Sequence, residues 1–278
     1  LGDVYKRQTY RLENMIFNKF FILFKIGRKI GKSNIINIVS ETHKIPVFIK
    51  LFFNLLAFSF SSSNNTKSKG KENLSESIQE MGTTFIKLGQ FLATRPDIIG
   101  EKLSKELESL QDKLPPFSKK EAEKIIIENL GQSNFDDIID LSEPIAAASI
   151  AQVHKAKIKE DNIIKNVAIK VLRPNIKKIF NDEIDAIMLL AYIVESLITK
   201  TKRLKLIEVV FLFKEITNHE MDLRFEAAAA NEYAENTKND LGFFVPKIYC
   251  NFTRESVLTL DWVDGVSIRE KDLLKEKN

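Results

Sequence analysis

The sequence has one cysteine, Cys250, in 278 residues, so it can form neither an internal disulfide nor a cysteine-cluster metal site. A reducing compartment is the expectation that follows. Its three histidines, His43, His154 and His219, lie far apart with no metal-ligand spacing, and no residue is assigned to a metal. Long apolar runs are also missing. The best, Ile45–Phe60, holds 16 residues and carries Lys50 and Asn54, short of the roughly 18–20 clean apolar residues that span a bilayer. What is present is a core-forming composition, 44% hydrophobic and 29% charged. The net charge of +4 is unevenly spread: residues 1–72 hold 13 Lys/Arg against 4 Asp/Glu, whereas residues 73–278 hold 29 against 34. Basicity confined to the first quarter argues against a nucleic-acid partner for the whole chain.

Residues 1–14 lack a starting methionine and read as a non-native leader, with Met15 as the natural start. Residues 15–60, rich in Phe, Ile, Leu and Lys, predict basic amphipathic helices that either dock on the chain's own core or touch a membrane surface. Residues 61–72 are a polar linker. From 73 to 132 the pattern is helical. Leu74, Ile78, Met81, Phe85, Leu88 and Leu92 give one apolar face over 74–92, and 101–112 continues as helix until Pro115-Pro116. Ser118 and Glu121 form a capping box for a helix to Leu130, with Gly131 as its stop. Strands are expected near 144–145, 150–158 and 167–172, with 159–166 as a polar hairpin loop. Two long helices, roughly 176–198 and 204–236, precede a strand pair at 245–250 and 255–261. The order predicts an α+β lobe with a small antiparallel sheet over 133–265. Residues 266–278 open a further segment that ends as an unfinished helix.

Four elements carry chemistry. In Val167-Ala168-Ile169-Lys170, strand alternation puts Lys170 on the face of Ala168, opposite Ile169 and Val171. A lone strand lysine is ordinarily solvated. Its alternative role is to reach ligand phosphates, which needs an upstream phosphate-covering hairpin and a downstream carboxylate. Upstream stand Ala146, Ala147, Ala148 and Ser149. Alanine lets a backbone approach a ligand almost as closely as glycine, but it does not adopt positive φ cheaply. Downstream, His219 to Asn231 reads as part of one long helix. There Glu220 and Glu226 diverge by roughly 240°, while Asp222 and Glu226 share a face. Glu226 becomes a natural ion-pair partner for Lys170 if this helix packs on the sheet. The fourth element is Phe85–Phe91, where Lys87 and Gln90 flank Gly89 on the polar side of an amphipathic helix; a mid-helix glycine points to close packing or ligand approach.

The strings TFIKLGQFLATRPDI, LQDKLPPF, PIAAASIAQVHKA, VAIKVLRP, EMDLRFEAAAAN and VLTLDWVDG together resemble the UbiB family of atypical kinase-like proteins, over about residues 74–266. The resemblance implies a protein-kinase-like N-lobe preceded by a family-specific helical extension. Ala146–Ser149 would stand for the glycine-rich loop, Lys170 for the lysine on ATP phosphates, and Glu226 for its glutamate partner. Lys87 and Gln90 match the K-x-G-Q motif, and Glu220 and Asp222 match the E-x-D motif that engages Lys87. By the same resemblance Leu260 would fall near the gatekeeper, Asp261 and Val263 would contact adenine through their main chains, and Ala168 would line the nucleotide. ATP and magnesium are the implied cofactors, with the magnesium ligands expected in a lobe after the hinge.

The catalytic-loop Asp and Asn and the D-F-G Asp belong to that later lobe, so the sequence reads as an N-terminal fragment, inactive by itself. The leading expectation for the full-length protein is a kinase-like ATPase supporting ubiquinone biosynthesis. It would sit at the cytoplasmic face of a bacterial inner membrane, with a C-terminal membrane anchor. Expected partners are nucleotide, a membrane lipid or isoprenoid quinone precursor, and quinone-biosynthesis enzymes. The alternatives are a catalytically idle membrane-associated scaffold for those enzymes and a helical lipid-binding protein.

Overall fold

The computed structural model describes residues 21–31, 35, 51, 74–110, 114–197, 199–266, 268 and 270–276. The leader 1–14, the linker 61–72 and most of the basic segment 15–60 lie outside the described residues. Two compact units emerge: a helical one, from the described residues before Leu114 together with those of Asn175–Asn218, and a sheet unit from the described residues of Leu114–Pro174 and His219–Asn278. No helix among the described residues is long and apolar enough to cross a membrane.

In the helical unit, the face expected over 74–92 is carried by two helices, Leu74–Met81 and Thr83–Ala93. Gly82 separates them at φ +104°, ψ −177°, a conformation open only to glycine. The apolar period runs straight across this break, which is why the sequence suggests one helix. Residues 21–31 are helical, with Ile26 buried. Lys29 Nζ donates to the Met81 carbonyl at 2.7 Å, placing a cation at the C-terminus of the first helix. This part of the basic segment therefore docks on its own chain. Helix Glu101–Leu107 ends earlier than the expected 112. Leu74, Leu103, Leu107 and Leu110 form the local core with Ile78 and Leu92. A β-carbon at Gly89 would overlap Leu110 Cδ1, so close packing explains that glycine. The helices Ile176–Leu197 and Leu206–Glu220 are joined by the Asp185–Lys214 ion pair at 2.9 Å.

The sheet unit is the expected α+β lobe, a five-stranded antiparallel sheet. Its strands are β1 (Ile138–Ile139), β2 (Pro144–Ala147), β3 (Ala151–Glu160), β4 (Ile163–Leu172) and β5 (Val257–Asp261). The order is β1-β3-β4-β5, and β2 also pairs with β3. The loop expected at 159–166 is in fact strand almost throughout. Only Asp161 and Asn162 turn, at φ +51° and +61°. Asp and Asn tolerate the left-handed region that a two-residue hairpin requires, so pairing extends to Glu160 and Ile163 despite the polar composition. The strand expected at 245–250 is reduced to a bridge between Ile248 and Leu260, followed by a 3₁₀ turn at Cys250–Phe252. Pro246 has no N–H to extend a ladder there.

Helix Lys119–Leu130 starts with the Ser118/Glu121 capping box and ends at Gly131, φ +81°. Its Ile126 and Leu130 cover the sheet face bearing Ala156, Ile158, Val167, Ile169 and Val171, closing a core with Tyr249, Phe252 and Val257. The expected 204–236 helix is two: Leu206–Glu220 and Leu223–Thr237. Met221 is buried, and Asp222 caps the second helix, its carboxylate accepting from Arg224 N at 3.1 Å. Leu223 N donates to Glu255 O at 2.9 Å. Glu220, Asp222 and Glu226 therefore do not share one helical axis, and the face relations read for a continuous helix do not apply.

Candidate functional site

Strand pairing assembles the site in the sheet unit. Ala146 pairs with Val153, Val153 with Lys170, and Lys170 with Leu258, so these four form one row across β2, β3, β4 and β5. Opposed residues in an antiparallel sheet point to the same face. This is the face turned away from the Ile126–Leu130 core. Ala168, two residues before Lys170, shares it and pairs with Leu260. Two alanines and one lysine leave room above the strands.

Lys170 meets its partner there. Its Nζ lies 2.7 Å from Oε2 of Glu226, in the first turn of the Leu223–Thr237 helix. The side chains are 27% and 51% exposed, so this pair faces an open surface. Asp222 grips Arg224 with two oxygens, Oδ1 to Nε at 2.9 Å and Oδ2 to Nη2 at 2.6 Å, which raises the guanidinium's affinity for its proton. Glu220 is exposed at the end of its helix. Lys87 and Gln90 lie half-buried on the Thr83–Ala93 helix of the helical unit.

The alanine-rich turn solves the φ problem posed by its composition. None of Ala146 to Ile150 has a positive φ, so no glycine is needed. Ala148 N donates to Ala151 O at 2.8 Å and closes the turn. Ser149 is fully buried, and its hydroxyl has no hydrogen-bond partner among the described residues. Arg173, part of the VAIKVLRP string but given no role by it, reaches back to this turn. Its Nε and Nη2 donate to Ala148 O at 3.1 and 2.8 Å, and its N–H donates to Ile150 O at 2.8 Å. Its guanidinium also lies 5.9 Å from the centre of the Phe117 ring, and burial lowers its pKa.

A second feature absent from the sequence expectations is a buried polar chain on the opposite face. Gln152 Oε1 accepts from Phe117 N at 2.9 Å, and its Nε2 lies 2.9 Å from Nε2 of His154. The other ring nitrogen, Nδ1, lies 2.8 Å from the Ser142 carbonyl. That carbonyl can only accept, so Nδ1 carries the proton and Nε2 accepts from Gln152. Desolvation pushes the His154 pKa down, offset in part by the Ser142 carbonyl. The ring is thus held neutral as a structural link. An i, i+2 pair of polar residues inside a β-type run was the available signal.

At the end of β5, Asp261 accepts the Tyr249 hydroxyl at 2.6 Å and Lys247 N at 3.2 Å, while its own amide donates to Lys247 O at 3.0 Å. Val263 is exposed beyond it. Trp262 N donates to Asn166 O at 3.0 Å, and Lys155 Nζ sits 4.4 Å above the Trp262 ring. Among the described residues, no three His, Cys, Asp or Glu side chains gather as a metal site.

The sequence pattern of the ABC1 atypical kinase-like domain matches residues 109–278. Among curated proteins, the probable protein kinase UbiB of Marinobacter nauticus is 33% identical over 234 residues, covering 84% of this chain and 42% of that protein. The protein of the same name from Tolumonas auensis is 33% identical over 267 residues, covering 94% and 47%. The chain thus spans less than half the length of these relatives. Among solved structures, Rv3197 of Mycobacterium tuberculosis in complex with erythromycin aligns with a TM-score of 0.41 and 25% identity, covering 66% of this chain and 44% of that one.

Proposed function

Because the chain belongs to the ABC1 atypical kinase-like family, we propose that its sheet unit binds ATP on the face that carries Lys170. The observation carrying this reading is the Lys170–Glu226 ion pair on an open, alanine-lined surface. An ammonium held by one carboxylate oxygen keeps further donors for phosphate oxygens. Glu226 orients Nζ, and the turn Ala146–Ser149 brings main chain near the phosphates without side-chain bulk. Ala168 admits the base, and the main chains of Asp261 and Val263 meet its edge. Magnesium, when bound with ATP, neutralises phosphate charge. The described residues gather no carboxylate set for it, and its ligands are expected from the lobe after the hinge in the longer protein.

In that longer protein this site serves an ATPase that supports ubiquinone biosynthesis at a membrane, with an isoprenoid quinone precursor or lipid as its partner. The relatives' name, probable protein kinase UbiB, supports the kinase-like part of that reading. The test is thermal stabilisation of this chain by Mg-ATP. A ligand at about a hundred times its dissociation constant adds about 2.7 kcal/mol to stability. A melting temperature unmoved by millimolar Mg-ATP would remove the proposal.

A further inference from the structure

Protein-kinase-type phosphate loops obtain close approach from glycine, at the cost of conformational entropy. Here the corresponding turn is built from Ala146, Ala147, Ala148 and Ser149 with ordinary backbone angles. Beyond the β2–β3 pairing of Ala146 and Ala147, the turn is closed by the Ala148–Ala151 hydrogen bond, and its tip needs support from outside to keep one shape.

Arg173 supplies the rest. It lies just past β4, between Leu172 and Pro174. Two guanidinium nitrogens converge on one acceptor, Ala148 O, at 3.1 and 2.8 Å, while the main-chain N–H holds Ile150 O at 2.8 Å. Ser149, the residue between these two anchored carbonyls, is fully buried. The guanidinium plane is backed by the Phe117 ring, 5.9 Å from its centre. Phe117 is itself fixed by Gln152, the β3 residue that pairs with Ala147. The two sides of the turn are thus tied to one residue, Ala148 O by its guanidinium and Ile150 O by its main-chain N–H. Among the described residues no acidic side chain takes part: for its anchoring contacts the guanidinium uses a neutral carbonyl and an aromatic face.

We infer that Arg173 is a positioning residue for nucleotide binding, its guanidinium fixing the alanine-rich turn through the Ala148 carbonyl. This rests on the nucleotide reading given above. Arg173 sits three residues after Lys170, at the end of the same strand, so the lysine and the turn share one rigid origin. A long, immobilised side chain takes the place of glycine's conformational freedom.

The experiment compares wild type, Arg173→Ala, Arg173→Lys and the control Lys157→Ala, which cuts an exposed ion pair to Asp140 elsewhere on β3. Mg-ATP affinity is measured by calorimetry well below each melting temperature, and exchange of the Ala148 amide is followed by mass spectrometry or NMR. Arg173→Ala should weaken Mg-ATP binding about fivefold or more, the scale of one to two lost hydrogen bonds, and should speed exchange at Ala148. Arg173→Lys, which keeps a cation and one donor, should recover part of both effects, and Lys157→Ala should change neither. Unchanged affinity and exchange in Arg173→Ala would overturn the inference, as would an affinity loss equal to the control's. A wild-type chain that binds no Mg-ATP would contradict the functional reading instead. The exchange arm then decides the anchor: faster exchange in Arg173→Ala upholds it and unchanged exchange overturns it.

Discussion

Tyr249 and Asp261 meet at 2.6 Å, hydroxyl to carboxylate, where β5 ends and the proposed adenine edge begins. Tyr249 is buried, and burial together with the nearby Asp261 charge raises its pKa well above the usual tyrosine range. It therefore stays a donor at every working pH. Tyr249→Phe keeps the ring in the core but removes this charge-assisted bond, so unfolding stability should fall by about 1–2 kcal/mol. Denaturant titration with an unchanged slope checks it. No loss would mean that Asp261 is held by Lys247 N alone.

Ser149 should behave in the opposite sense. A buried hydroxyl without a partner costs about 1–3 kcal/mol of desolvation, and the Ser149 hydroxyl is such a group among the described residues. Ser149→Ala is therefore expected to leave stability unchanged or raise it by about 1 kcal/mol. A clear loss in the same titration would reveal a further partner, such as an ordered water.

Gly89 sets two effects against each other. Alanine is favoured over glycine inside a helix by about 0.5–1 kcal/mol. Its β-carbon, however, would overlap Leu110 Cδ1 and lie 3.4 Å from Ile78 Cγ2, and overpacking costs about 1–3 kcal/mol. Packing wins, so Gly89→Ala should lower the melting temperature. A rise would show that Leu110 yields freely.

These features differ in how legible they are in the sequence. The β3–β4 alternation and the capping box are readable because each leaves a local or periodic trace, whereas the Lys170–Glu226 pair, 56 residues apart, is readable through the family resemblance. The breaks at Gly82 and Asp222 are hidden, since helical apolar spacing continues through both. The hairpin tip is hidden by its polar composition, because Ile163 and Ile164 pair through backbone while staying exposed. Arg173 is invisible for a different reason. No local pattern gives it a role, and only the fold brings it to a turn 25 residues earlier.

His154 predicts a pH dependence. Its folded-state pKa is depressed by desolvation from an ordinary value near 6.5. Above that value both folded and unfolded states hold a neutral ring and stability is unaffected. As pH falls below about 6.5 the unfolded chain takes up a proton first, so stability declines until the folded-state pKa is reached. Chemical unfolding at pH 7.5 and 5.5 should show a larger loss in wild type than in His154→Gln. Equal losses would assign the acid sensitivity to carboxylates.

Lys170 and Glu226 carry the nucleotide reading. An ion pair this exposed is worth at most about 1 kcal/mol to folding, so its removal should hardly disturb the free chain. Calorimetric titration of Mg-ATP into wild type, Lys170→Met and Glu226→Gln separates the two roles. The expected result is an affinity loss of about tenfold or more in Lys170→Met and a smaller loss in Glu226→Gln, with circular dichroism and melting of the free chains nearly unchanged. Equal Mg-ATP affinity in all three proteins would contradict a nucleotide site built on this pair.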